Sequence, residues 1–124
     1  MKKHYAILGL CLSLAVCAQA LAHGAHAKHG GILQSVDDVD FELVNGAERA
    51  SLYISDHGQP VSTAGAGGKL TILNGSEKTE LLLAPGPDQT LVTPGKAPLH
   101  KGAKAIASIL FADQRTLNVR FSVK

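Results

Sequence analysis

The stretch His23-Gly24-Ala25-His26-Ala27-Lys28-His29-Gly30-Gly31 holds three of the chain's six histidines, each three residues from the next. Neutral imidazole is the commonest protein ligand for transition metals. In an extended or irregular segment, side chains so spaced can converge on one ion, and on a helical turn they share a face. The flanking glycines let the backbone fold around an ion at little steric cost. His23, His26 and His29 therefore read as ligands for a divalent transition metal, Cu(II) or Zn(II) first and Co(II) or Ni(II) after them. The pattern is less defining than a zinc finger, which sets four ligands at prescribed spacing. The plainer alternative is a polar leader that keeps a cleavage site accessible.

Two further histidines are secondary candidates. His57 sits between Asp56 and Gly58 in a turn, where the Asp56 carboxylate can orient the ring by a hydrogen bond. His100 lies in Pro98-Leu99-His100-Lys101-Gly102, and Lys101 repels any cation held there. Read plainly, both are exposed loop residues. Either completes a site with the tail only if its loop lies at the same end of the domain.

What precedes the histidines gives them a context. Met1-Lys2-Lys3-His4 is a short basic segment, and Tyr5 to Ala18 is an uncharged run rich in Leu and Ala. Small residues at Ala18, Ala20 and Ala22 follow. This is the three-part layout of a secretory signal peptide. A membrane anchor needs roughly 20 apolar residues and no such cleavage site. A lipoprotein leader through Cys17 is disfavoured by the bulky Val16 before it. The expected organisation is a signal peptide over 1–22, a flexible His-rich arm over 23–31 and a single β-domain over 32–124, located in the periplasm with no stable membrane anchor after cleavage. Cleavage after Ala20 leaves His23 third, where amine, two amides and imidazole form a planar four-nitrogen set suited to Cu(II) or Ni(II). Cleavage after Ala22 leaves His23 first, a two-nitrogen chelate that needs further ligands.

Losing the leader changes the composition. Cys11, Cys17 and Met1 all lie in it, so the exported chain has neither a disulfide nor the soft sulfur ligands that Cu(I) prefers. Lys2 and Lys3 account for the whole of the formal charge of +2. A neutral domain poor in aromatic residues does not point to nucleic acid. Oligomeric state is not legible.

Enzymatic chemistry finds little support. No Ser lies in a nucleophile-elbow motif, and no Cys remains to pair with a His. Asp37, Asp38 and Asp40 lack the twelve-residue calcium loop with its terminal Glu, and read as a solvated turn. Ala64-Gly65-Ala66-Gly67-Gly68 lacks the Lys-Ser/Thr closure of a phosphate loop and reads as a flexible connection. The chain is not expected to be an enzyme.

The elements that must position the histidines follow a period near two, in short runs broken by turn residues. Strands are expected at 32–36, 40–44, 51–55, around Val61, and at 69–73, 79–84, 90–92, 104–111 and 116–123. Phe41 and Leu43 share one face. Leu52 and Ile54 share a face opposite Tyr53, and Leu117, Val119, Phe121 and Val123 share another. Asn45-Gly46 and Asn74-Gly75 are strong turn signals. Seven to nine short strands without an amphipathic helix predict an all-β, immunoglobulin-like antiparallel sandwich, with a barrel as the alternative.

His29-Gly30-Gly31, Phe41 to Val44, Leu52-Tyr53-Ile54-Ser55-Asp56-His57-Gly58-Gln59-Pro60-Val61, and the tail Ala107 to Leu110 with Asn118 to Phe121 resemble small exported bacterial proteins found near heavy-metal efflux systems. These are similar to a periplasmic domain of the membrane-fusion adaptors of those systems. The resemblance spans most of the chain after the leader, through motifs of modest specificity. It implies a periplasmic β-sandwich associated with metal handling, an efflux adaptor as partner, and no set of ligands.

Overall fold

A computed structural model describes residues 26–124. The signal peptide expected over 1–22, and His23, lie outside the described residues.

Nine strands form: β1 (Ile32–Val36), β2 (Val39–Asn45), β3 (Ala50–Asp56), β4 (Gln59–Pro60), β5 (Gly67–Asn74), β6 (Glu77–Gly86), β7 (Thr90–Val92), β8 (Lys104–Leu110) and β9 (Thr116–Ser122). All pair antiparallel, in the order β1-β2-β3-β7-β6-β5-β8-β9, with β4 beside β3. The ten residues of β6 join two halves. Its first part, Glu77 to Leu83, pairs with β5, and its last part, Ala84 to Gly86, pairs with β7. β9 comes to lie against β1, so the sheet curls until it nearly closes into a barrel. The fold is thus all-β and sandwich-like, with one strand passing between its two halves.

The alternation read from the sequence places the core. Phe41 and Leu43 of β2, Leu52 and Ile54 of β3, Leu70 and Ile72 of β5, Ile109 of β8, and Val119 and Phe121 of β9 all point inward and are buried. Each such side chain contributes about 1.5–3 kcal/mol relative to leaving it in water. With no disulfide in this domain, these side chains and the strand ladders hold the fold.

Two local expectations change. Gly67 and Gly68 belong to β5 rather than to a loop, paired with Leu110 and Ile109 of β8, and the approach is so close that a Cβ at Gly68 would collide with the Ser108 carbonyl. Val61 lies outside any strand: β4 ends at Pro60, and Val61 instead donates its N–H to the Ile54 carbonyl at 2.9 Å. The Asp37-Asp38 turn carries positive φ at both residues, 51° and 64°. That is the tight two-residue geometry whose twist suits a β1–β2 hairpin.

Candidate functional site

Strand alternation puts Glu42 on the outer face of β2, between the inward Phe41 and Leu43. In register it faces Leu33 of β1 on one side and Tyr53 of β3 on the other. A carboxylate on a solvated outer face is ordinarily exposed, yet Glu42 is only 4% exposed. The cover is the end of the N-terminal arm. Gly30, at φ 71°, turns the chain, and Gly31 packs so closely on β2 that a Cβ there would strike the Leu43 carbonyl.

The arm closes on the carboxylate with its own main chain. Lys28 N–H donates to Glu42 Oε1 at 2.9 Å, and the N–H groups of His29 and Gly31 each donate to Oε2 at 2.8 Å. A fourth contact comes from the His29 ring, whose Nδ1 lies 3.0 Å from Oε1. Burial pushes the carboxyl of Glu42 up. The hydrogen bonds from the His29 ring and from the backbone of Gly31, His29 and Lys28 together outweigh it and hold the group below its ordinary 4.5.

An ionised carboxylate only accepts, so Nδ1 must carry the hydrogen. In neutral His29 the free lone pair then sits on Nε2, to which no group donates among the described residues. The ring is also fixed in space: it stacks on Tyr53 with centroids 3.6 Å apart and planes 7° from parallel. The side chain nevertheless remains 42% exposed. A carboxylate on one ring nitrogen is a common way for a metal-ligating imidazole to be oriented.

The other candidates are placed as follows. His26 lies exposed in the arm, three residues before His29, and His23 lies outside the described residues. Asp56 and His57 do meet, with Nδ1 of His57 2.5 Å from the carboxylate, but the pair is exposed at the β3–β4 turn. His57 is four residues beyond Tyr53, roughly 13 Å along the strand direction. His100 is exposed in the loop between β7 and β8. That loop is tied to the opposite end of the sheet, where the side-chain amide of Asn45 donates to the Leu99 carbonyl at 3.3 Å and that of Asn74 to Pro98 at 3.0 Å. His57 and His100 therefore belong to different ends of the fold. Among the described residues no three His, Asp or Glu side chains group as a metal site.

Glu42 and Tyr53 were not legible as site residues. Each occupies an ordinary outward position in an alternating strand. Only the strand register, and the arm folding back across it, brings them to His29.

No protein-family model, no curated protein and no solved structure matches this chain.

Proposed function

We propose that the protein is a periplasmic metal-binding protein that buffers a divalent transition metal, Cu(II) or Zn(II), or delivers it to an envelope efflux system. The observation that carries this reading is the pairing of His29 with Glu42, which leaves Nε2 as an oriented ligand. His26 and His23 supply further imidazoles from the arm. Glu42 acts through His29: it holds the Nδ1–H tautomer and strengthens the ring as a donor. Tyr53 keeps the ring from turning away. A rigid first ligand suits capture and handover, because each further imidazole can join or leave it in turn. The membrane-fusion adaptor of an efflux system is the partner this reading implies.

The test is intact mass of the exported protein, with one equivalent of Cu(II) or Zn(II) and then a weak chelator. A stoichiometric adduct should survive in the wild type and be lost when His23, His26 and His29 are all changed to Ala. An adduct that persists in the triple variant rules the reading out. Substitution is preferable to deleting residues 23–30, which would also strip backbone donors from Glu42.

One observation favours a second, metal-independent reading as an interaction module. Residues Glu77 to Leu83 of β6 have β5 on one side and, among the described residues, no strand on the other. β7 cannot continue along them, because Thr93 N–H turns to the Ala50 carbonyl at 3.1 Å and Pro94 has no N–H to offer. Such an edge can accept an added strand from a partner. If the triple His variant protects cells from metal stress as well as wild type does, this reading takes precedence.

A further inference from the structure

The basic side chains of the strands are confined to one half of the sheet. β1, β2, β3, β4 and β7 contain no Lys or Arg, and carry Asp40, Glu42 and Asp56, with Asp37 and Asp38 in the turn between β1 and β2. Every strand Lys and Arg lies on the other half: Lys69 of β5, Lys78 of β6, Lys104 of β8 and Arg120 of β9. All four are exposed, and alternation puts them on the same outer face, opposite the buried Leu70, Ile72, Ala105, Ala107, Val119 and Phe121.

Glu80 is the one carboxylate at an outward position of this face, 3.1 Å from Lys78 and 3.6 Å from Lys69. Glu77 begins β6 at an inward position. Lys104 bonds only the Ser122 hydroxyl, at 3.0 Å, and neither it nor Arg120 has a carboxylate partner among the described residues. The face keeps a net positive charge.

The same face carries the two large apolar side chains that project furthest into water, Leu82 at 72% exposure and Leu110 at 46%. They stand toward one end of it. On β5, which runs between them, the outward positions are Gly67, paired with Leu110, and Lys69, paired with Leu82.

We infer that the outer face of β6, β5, β8 and β9 docks on an anionic lipid surface. Lys78, Lys104, Arg120 and Lys69 meet the headgroups, while Leu82 and Leu110 enter the boundary beneath them. Charge complementarity is the first argument: four strand cations against one carboxylate on this face of a near-neutral molecule, with Asp40, Glu42 and Asp56 on the other half, orient it on a negative plane. The second is shape. The cations span four strands, about 14 Å across at ordinary strand spacing, on the outside of a curled sheet rather than in a cleft. A fluid bilayer adapts to a convex face and admits projecting leucines, whereas a folded partner would need a matching concavity.

The test is co-sedimentation of the exported chain with phosphatidylglycerol vesicles, with phosphatidylcholine vesicles and, separately, its binding to poly-glutamate. Binding to phosphatidylglycerol alone is expected, weakened by salt, falling at least about tenfold in Lys104→Glu/Arg120→Glu and falling also in Leu82→Ser. The milder Lys104→Gln/Arg120→Gln variant, checked by circular dichroism, gives the same readout should the reversal disturb folding. No binding at low salt overturns the inference. So does binding that both charge variants leave unchanged. Capture by poly-glutamate but not by vesicles overturns it in favour of an acidic protein surface.

Discussion

Nδ1 of His29 lies 3.0 Å from Oε1 of Glu42, across 13 residues of sequence. The contact makes the N-terminal arm part of the fold. It also makes a buried carboxylate dependent on the arm, since three of its four hydrogen bonds come from the arm's backbone.

Removing the charge at Glu42 should cost stability. In Glu42→Gln one oxygen becomes an NH₂ donor facing other donors. A loss of about 1–3 kcal/mol is expected, since hydrogen bonds to charged groups lie in that range. Urea unfolding of wild type and variant measures it, and amide exchange at Lys28, His29 and Gly31 should rise in the variant.

The same carboxylate predicts an acid dependence for the metal-free protein. Its folded pKa lies below the ordinary 4.5, so its contribution is fully present above that value. It is lost as pH falls from there to the folded value, because over that range the unfolded chain binds a proton that the folded state does not. Denaturation midpoints from pH 7 to pH 3 should fall more steeply in wild type than in Glu42→Gln. Parallel curves would contradict this.

Metal affinity should depend on groups that do not themselves touch the ion. Glu42→Gln is expected to weaken Cu(II) or Zn(II) binding by about 10–100-fold, the range for losing a carboxylate behind a ligating imidazole. Tyr53→Ala should weaken it less, by freeing the ring. Competition titration with a chromophoric chelator separates the two. Asp56→Ala, remote from the arm, should have no effect.

Gly68→Ala should destabilise the barrel. The added methyl would meet the Ser108 carbonyl on the neighbouring strand, a backbone atom that cannot turn aside. Overpacking of this kind costs about 1–3 kcal/mol. Gly75→Ala is a useful contrast: nothing lies within 4 Å of its added methyl, so its cost should come from the positive φ of 61° alone. Thermal melts compare them.

Strand content and the inward faces were open to reading from the sequence, because they are local. A period of two sorts Phe41 from Glu42 and Leu52 from Tyr53 without reference to any other strand, and the turn residues mark where each run stops. The arm's histidines were equally visible as a cluster of ligand-bearing residues. Three things lay beyond local reading. The first is closure: that β6 is long enough to serve both halves, and that β9 meets β1, depends on pairings between residues far apart in the chain. The second is the partner of His29. Glu42 and Tyr53 are unremarkable polar and aromatic positions until register sets them side by side and Gly31 lets the arm lie against β2. The third is the division of charge. The sequence shows equal numbers of acids and bases after residue 22, but only the strand order gathers Lys69, Lys78, Lys104 and Arg120 on one face. Periodicity is a property of neighbours along the chain. Register, burial of a lone carboxylate and the sign of a surface are properties of neighbours in space.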